Sequence, residues 1–145
     1  MAELKAEKSI VVNAPIEKVW KLMLDIPGWP KWFPALKAAG PVSGAPLAQG
    51  SVLSFKLALM GPALTMKVSV IESQPPRRVA WTGGMLGVSA VHSFDFETQG
   101  GKTKVISKEA FQGPMVGFLK IFFNDAALGK LHQDWIEALK VAAEK

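Results

Sequence analysis

The sequence feature that most constrains the fold is a long amphipathic segment at the C-terminus, from Met115 to Lys145. When its residues are placed at the 100° spacing of an α-helix, one face is apolar and the opposite face is polar or charged. Because such a helix must bury its apolar face against another element, we expect the preceding strands to wrap around it. The apolar face consists of Ile121, Leu128, Leu131, Trp135, Leu139 and Ala142.

Two polar residues interrupt this apolar face. Asn124 lies within it and His132 lies at its margin. Because a buried polar group needs a hydrogen-bond partner, two interpretations stay open. Either both side chains bond to backbone or water at the rim of a core, or they face a cavity and contact a ligand.

The run from Gly117 to Phe123 is apolar almost all round. Phe122 and Phe123 therefore cannot both face the same core. One of them covers an opening, contacts another subunit or is exposed.

Length and composition bound the remaining possibilities. A chain of 145 residues is expected to form a single domain, residues 1–145. It contains no cysteine, which suits a reducing cytoplasm. Neither a signal-peptide core nor a run of about 20 apolar residues is present. We therefore expect a cytoplasmic protein with no integral membrane association.

The net charge of +5 raises the question of a nucleic-acid partner. The lysines are scattered along the chain, and the arginines form only one adjacent pair, Arg77 and Arg78. No basic run alternates with aromatic residues, as nucleic-acid-binding surfaces often require. The sequence therefore predicts no nucleic-acid partner.

The rest of the chain is predicted to contain short helices and many strands. Asn13 is expected to cap a short helix that ends near residue 25, and residues 29–34 hold at most two turns of a second. Trp29, Trp32 and Phe33 form either a ligand platform or a plug at one end of a core. Loops and turns are predicted at 38–49, 60–63 and 83–85. Strands are predicted at 7–13, 51–59, 64–73, 77–83, 86–98 and 102–112, since each alternates apolar and polar residues.

The register of the last hairpin can be predicted from its turn. If Gly100 and Gly101 form a two-residue turn, paired residues have numbers that sum to 201. Glu97 then pairs with Lys104 on the outer face, and His92 pairs with Glu109 on the inner face. An imidazole beside a carboxylate on the apolar side of a sheet is either a structural ion pair or an acid/base pair. The remaining inner pairs are Phe96 with Val105 and Phe94 with Ser107.

Several of these segments resemble the START-like, or SRPBCC, superfamily, in particular its polyketide cyclase/dehydrase and lipid-transport branch. The opening Ser9–Pro15 is similar, with Val19-Trp20, Asp25, Trp29 and Trp32 after it. The stretch Pro75–Trp81 resembles the fourth strand of the family. His92-Ser93-Phe94 and Thr103-Lys104-Val105 resemble the hairpin that follows.

The resemblance implies an α+β helix-grip fold. In this fold a curved antiparallel sheet of about six or seven strands wraps around a long C-terminal helix, and two short helices follow the first strand. It also implies an elongated cavity between the sheet and the helix for a hydrophobic ligand.

Three functions are compatible with this sequence. The first is binding or transport of a small hydrophobic molecule of lipid, polyketide or isoprenoid type. The second is a cyclase or dehydratase in which His92 and Glu109 act as the acid/base pair. The third is a protein-interaction module that uses the apolar run Phe118–Phe123, with which a homodimer is compatible. The ligand-binding side chains expected for the first function are Leu53, Phe55, Met66, Val68, Trp81, Val88, His92, Phe94, Glu109, Phe111, Asn124 and Leu128.

No cofactor or metal ion is predicted. The histidines, His92 and His132, are far apart in sequence, and no cysteine is present, so no known ligand spacing occurs. A glycine-rich phosphate loop would have to join a strand to a helix, whereas Gly83-Gly84 lies between predicted strands.

Overall fold

The structure is a computed structural model that describes residues 3–58 and 61–145. The end of the strand predicted at 51–59 and the start of the turn predicted at 60–63 lie outside these residues.

The described strands form one antiparallel sheet of seven strands, in the order β1-β7-β6-β5-β4-β3-β2. Their bounds are β1 Leu4–Val12, β2 Leu36–Ser43, β3 Val52–Leu57, β4 Leu64–Gln74, β5 Arg78–Met85, β6 Val88–Gln99 and β7 Lys102–Gln112. Register shifts interrupt the pairing of β2 with β3 and of β4 with β5. Such bulges bend a strand and increase its twist, and so favour a curved sheet.

The helices lie in two groups. After β1 come α1 (Ile16–Leu24), a single 3₁₀ turn (Ile26–Gly28) and α2 (Trp29–Trp32). After β7 come α3 (Val116–Phe122) and the long α4 (Asp125–Ala143). The long helix packs on β1 and β7, and α1 and α2 also contact it. This is the α+β helix-grip arrangement that the sequence predicts.

The main core is centred on Trp135 of α4, which is buried among aromatic rings. Its ring centroid lies 5.4 Å from that of Phe33 and 5.8 Å from that of Trp29. Trp29 is fully buried and its Nε1 donates to the carbonyl oxygen of Met23. Trp29 and Phe33 therefore pack into the core as a plug.

The C-terminal segment is not the single helix predicted for 115–145. It breaks at Phe123 and Asn124, where Asn124 becomes the N-cap of α4 and its Oδ1 accepts a hydrogen bond from the backbone N of Ala127. Ile121, assigned to the apolar face, is 72% exposed, because the break interrupts the helical repeat that would align it with Leu128. Phe123 is buried and Phe122 is exposed, in agreement with the expectation that both cannot face the core.

Three local predictions were wrong. The loop predicted at 38–49 contains most of β2, an edge strand that tolerates Gly40 and Pro41. The N-cap of α1 is Pro15 rather than Asn13, whose backbone N donates to Glu144 instead. The turn predicted at 83–85 falls within β5, and the chain reverses one step later, at Leu86 and Gly87, both with positive φ.

The β6–β7 hairpin has the predicted register. His92 pairs with Glu109, Phe94 with Ser107, and Glu97 with Lys104. Both turn residues, Gly100 and Gly101, have positive φ, which glycine adopts without steric cost. This register places His92 and Ser107 on the concave face of the sheet.

Among the described residues, no helix combines the length and apolar character needed to span a bilayer.

Candidate functional site

A cavity of about 380 Å³ lies between the concave face of the sheet and α3. This volume falls in the range that small-molecule sites occupy in proteins. Most of its wall is apolar, and the charged or polar exceptions are Lys67, His92 and Glu109. The complete described lining is Phe55, Leu64, Met66, Lys67, Val68, Trp81, Gly83, Gly84, Leu86, Val88, Ala90, His92, Glu109, Phe111, Met115, Phe118, Leu119 and Phe122.

A chain of hydrogen bonds lies at the polar end of this cavity. His92 Nε2 is 3.0 Å from Ser107 Oγ, and Ser107 Oγ is 2.7 Å from His132 Nδ1. His132 Nε2 is in turn 2.8 Å from Glu109 Oε1. The two imidazoles and Ser107 are buried, whereas the side chain of Glu109 keeps 14% of its surface exposed. Strands β6 and β7 and helix α4 together position these four side chains.

The single proton of the Ser107 hydroxyl fixes the direction of these hydrogen bonds. When both imidazoles are neutral, His132 Nε2–H donates to the Glu109 carboxylate, and His132 Nδ1 must accept from Ser107. Ser107 Oγ then accepts from His92 Nε2–H. The lone pair of His92 Nδ1 remains, 4.0 Å from Glu109 Oε1 and beyond hydrogen-bonding distance of it.

A hydrogen on His132 Nδ1 reverses the order. His132 Nδ1–H would then donate to Ser107, Ser107 would donate to His92 Nε2, and His92 Nδ1 would carry the hydrogen. Burial, followed by the charge of His132, holds the pKa of His92 well below its usual 6.5. His92 is therefore neutral in both arrangements, and its Nδ1 changes between acceptor and donor.

Many of the side chains predicted to bind ligand lie at the cavity wall. These are Phe55, Met66, Val68, Trp81, Val88, His92, Glu109 and Phe111. The other predicted side chains lie elsewhere. Leu53 and Phe94 are buried in the main core, and Leu128 belongs to a second cluster with Leu4, Val116 and Phe123. Asn124 is exposed and caps α4, and its side-chain oxygen accepts a hydrogen bond from the backbone of the helix.

Sequence reasoning missed Ser107 as a member of the polar chain, and it named His132 as a polar residue of the helix without including it among the site residues. The hairpin register already placed Ser107 on the inner face, opposite Phe94, but its hydroxyl was not considered. His132 was assigned to the margin of the helix, whereas it is fully inside and bonded to side chains of β7. The rotation of α4 about its axis decides this, and the helical pattern alone left that rotation uncertain.

The mouth of the cavity is rich in exposed apolar side chains. Phe118 is 59% exposed and Phe122 is 61% exposed, and their rings contact each other edge to face. Leu86, in the β5–β6 turn, is 88% exposed. The apolar run noted in the sequence thus lies beside the cavity. A homodimer or a partner contact through this run stays a prediction.

His92, His132 and Glu109 are the described side chains grouped closely enough to hold a metal ion. One potential ligand atom from each lies within 4.8 Å of the other two. The histidines are far apart in sequence, which argued against a metal site, but the packing of α4 on β7 brings them close together in space.

Solved structures with this fold come from diverse organisms. The major latex-like protein 151 of Panax ginseng superposes with a TM-score of 0.81 at 12% identity, covering 99% of both chains. A START superfamily protein of Mycobacterium smegmatis gives 0.78 at 17% identity, covering 97% of both. The Zhui aromatase/cyclase of Streptomyces sp. R1128 gives 0.72 at 17% identity, covering 99% of this chain and 94% of that one. At these identities the similarity shows the fold alone.

Sequence comparison gives a family. No curated protein matches the chain. The sequence profile of the family described as "Polyketide cyclase / dehydrase and lipid transport" matches residues 3–144, which is nearly the whole chain. Together with the helix-grip fold and its apolar cavity, this match shows that the chain belongs to the polyketide cyclase/dehydrase and lipid-transport family of START-like proteins.

Proposed function

We propose that this protein binds or carries a small hydrophobic molecule in the cavity between the sheet and α3. The observation that carries the proposal is the character of the wall: about 380 Å³ of space bounded by apolar side chains, with Lys67, His92 and Glu109 as the polar groups. Transfer of an apolar surface from water to such a wall is favourable by about 25 cal/mol per Å². The family match and the folds of the related structures support the same function.

The polar end of the cavity supports an orientation for the ligand. A mostly apolar molecule would place its polar atom beside His92 and Glu109, since these two residues line the cavity. Its apolar body would then extend between Met66, Val88 and Phe111 toward the exposed rim. Lipids, polyketides and isoprenoids with one polar end all meet this description.

A fluorescence titration with N-phenyl-1-naphthylamine tests the proposal. This apolar probe fluoresces more strongly once it leaves water, and we expect saturable binding to the wild-type protein. The substitution Ala90→Phe adds a ring at the cavity wall and should weaken binding at least about 10-fold, since the space for the probe is lost.

Val91→Phe is the matched control. Val91 is the next residue on β6, points to the opposite face of the sheet and is exposed. The Val91→Phe substitution should leave the affinity for the probe unchanged. Equal affinity of the Ala90→Phe and Val91→Phe variants, both folded, would place the probe outside the cavity and contradict the proposal.

A second function is favoured by the hydrogen-bonded chain. When both imidazoles are neutral, His92, which lines the cavity, keeps a lone pair on Nδ1, and Ser107 and His132 connect its ring to Glu109. Such a group can remove a proton from a carbon next to a ligand carbonyl: the C–H bond breaks, Nδ1 gains the proton, and the electron pair forms an enolate. This is the acid/base role of a cyclase or dehydratase.

Deuterium exchange tests this second function without knowledge of the natural substrate. A methyl ketone that fits the cavity, incubated in D₂O, should exchange its α-protons faster with the wild-type protein than with His92→Gln. Because His92→Gln can still bind the ketone, binding measured in parallel separates loss of proton transfer from loss of affinity. Equal exchange rates at equal occupancy would exclude His92 as the base.

A further inference from the structure

The two histidines of the chain meet at one carboxylate. The sequence contains two histidines and no cysteine, so His92 and His132 are its complete set of imidazole and thiolate donors. Both approach Glu109 Oε1, His132 Nε2 at 2.8 Å and His92 Nδ1 at 4.0 Å. Two imidazoles and one carboxylate, of which His92 and Glu109 line the cavity, form a donor set suited to a divalent transition metal ion.

We propose that His92, His132 and Glu109 form a binding site for one divalent transition metal ion such as Zn²⁺ or Co²⁺. The ligand atoms are His92 Nδ1, His132 Nε2 and a carboxylate oxygen of Glu109. Around an ion bound at about 2.1 Å, neighbouring ligand atoms lie roughly 3 to 3.5 Å apart. The two imidazole-to-carboxylate separations of 2.8 Å and 4.0 Å lie on either side of this range, and the three ligand atoms lie within 4.8 Å of one another, so side-chain shifts of roughly 1 to 2 Å form the site.

Ser107 is placed to support both imidazole ligands. It contacts the ring nitrogen of each histidine that points away from Glu109, His92 Nε2 and His132 Nδ1. In the metal-bound state both of these nitrogens carry a hydrogen, and the Ser107 oxygen can accept from both. Metal-binding histidines usually donate their outer N–H to such an acceptor, which fixes the ring orientation. From the neutral state, the hydrogen of His132 has to move from Nε2 to Nδ1, and the Ser107 hydroxyl hydrogen has to turn away from Nδ1.

The position of the site leaves room for further ligands. His92 and Glu109 line the cavity, so an ion held by the three protein ligands would have its remaining positions directed toward that space. Water or a polar atom of a cavity ligand can occupy them, as in zinc sites with three protein ligands. Two imidazole nitrogens and buried surroundings favour a divalent transition metal ion over a strongly hydrated, oxygen-preferring ion such as Mg²⁺. The proposal goes beyond ligand carriage, since the ion requires no apolar molecule.

Titration of the chelator-treated protein with CoCl₂ tests the site. We expect one ion per chain and the visible absorption of four- or five-coordinate Co²⁺, which Zn²⁺ should abolish by competition. His132→Gln and Glu109→Gln should each weaken binding at least about 100-fold, and Ser107→Ala about 10-fold or more, as losses of direct and supporting contacts do. Glu137→Gln, at an exposed position on the same helix, should leave binding unchanged.

A measurement on the wild-type protein does not depend on whether the variants fold. Because only two histidines are present, the ring C–H signals in a proton NMR spectrum can be assigned to His92 and His132. One equivalent of ZnCl₂ should shift both sets of signals and saturate the change. The proposal is overturned if an excess of ZnCl₂ shifts neither ring, or if Co²⁺ binds the wild-type protein no more tightly than a folded His92→Gln/His132→Gln double variant.

Discussion

Ser107 is the residue through which the polar side chains of the cavity act together. Its hydroxyl touches both imidazoles, and no direct hydrogen bond joins the rings among the described contacts, although their centroids are 4.5 Å apart. It is fully buried, so water does not replace it as a partner. The hydrogen-bonding states of the two imidazoles are therefore coupled through this one oxygen.

Replacing Ser107 by alanine should destabilise the folded state by about 2 kcal/mol, because it leaves a buried nitrogen of each imidazole without its partner. Urea denaturation of the purified variant measures this change in the free energy of unfolding. Ser69→Ala, on an exposed position of β4, is the control and should cost less than about 0.5 kcal/mol. If Ser107→Ala lowered the free energy of unfolding as little as Ser69→Ala, the hydrogen bonds of Ser107 would not stabilise the fold.

The lowered pKa of His92 predicts a pH dependence of stability in metal-free protein. Above pH 6.5 His92 is neutral in both the folded and the unfolded chain, and its contribution is fully present. As the pH falls below 6.5, the unfolded chain takes up a proton that the folded chain resists. The free energy of unfolding should then fall by up to about 1.4 kcal/mol per pH unit, until the lowered pKa is reached.

Urea titrations between pH 7.5 and 5 measure this slope, with His92→Gln as the comparison. The variant lacks the titrating imidazole, so its stability should depend less steeply on pH over the same interval. The same slope in both proteins would show that burial of His92 is not its cause.

At the scale of elements, the break between α3 and α4 shapes the cavity. Asn124 ends the apolar run and starts α4, which lets α3 turn so that Phe118, Leu119 and Phe122 face the cavity. A continuous helix would have carried these side chains along the axis of α4 instead. The capping residue therefore has a structural role that affects the shape of the site.

Asn124→Ala should destabilise the protein by about 1 kcal/mol, since it removes the side-chain acceptor for the Ala127 N–H. Asn124→Asp keeps an acceptor at the helix N-terminus and should retain most of the stability. Thermal unfolding followed by circular dichroism compares the two. Equal losses for alanine and aspartate would mean that the hydrogen bond at this position contributes little.

The anchor of α4 is Trp135, whose ring is surrounded by Trp29, Phe33, Phe55, Trp81 and Phe94. Trp135→Ala should cost roughly 3–5 kcal/mol, the usual range for removal of a large core side chain. Trp135→Phe should cost much less, because it keeps an aromatic ring and removes an Nε1–H that is buried without a partner among the described residues. Chemical denaturation measures both, and a loss below about 1 kcal/mol for alanine would contradict the anchor role.

The elements that were predictable from sequence are those fixed by local chemistry. The Gly100-Gly101 turn determines the β6–β7 register, and so the pairing of His92 with Glu109. The break at Asn124 also had a local signal, an N-cap residue followed by Asp125 in the first turn. It was missed because the apolar periodicity continues through it. The edge strand β2 was missed because Gly40 and Pro41 are also typical of loops.

At the scale of the whole molecule, the cavity results from how the sheet and the two C-terminal helices pack. The concave face of the sheet is covered by α4 at one end, where Trp135 fills the core, and by α3 at the other, where space remains. The approach of His132 to Ser107 and Glu109 depends on the same packing. Sequence periodicity gives the apolar faces of these elements, but it does not give the volume left between them.

Binding of a hydrophobic molecule in this space can be tested by intermolecular nuclear Overhauser effects. With N-phenyl-1-naphthylamine bound, the aromatic protons of the probe should show contacts to the methyl groups of Met66, Val68 and Val88 at the cavity wall. Methyl groups of the exposed residues Val11 and Val141, which do not line the cavity, should show none. Contacts to Val11 or Val141, with none to the cavity methyl groups, would contradict the account.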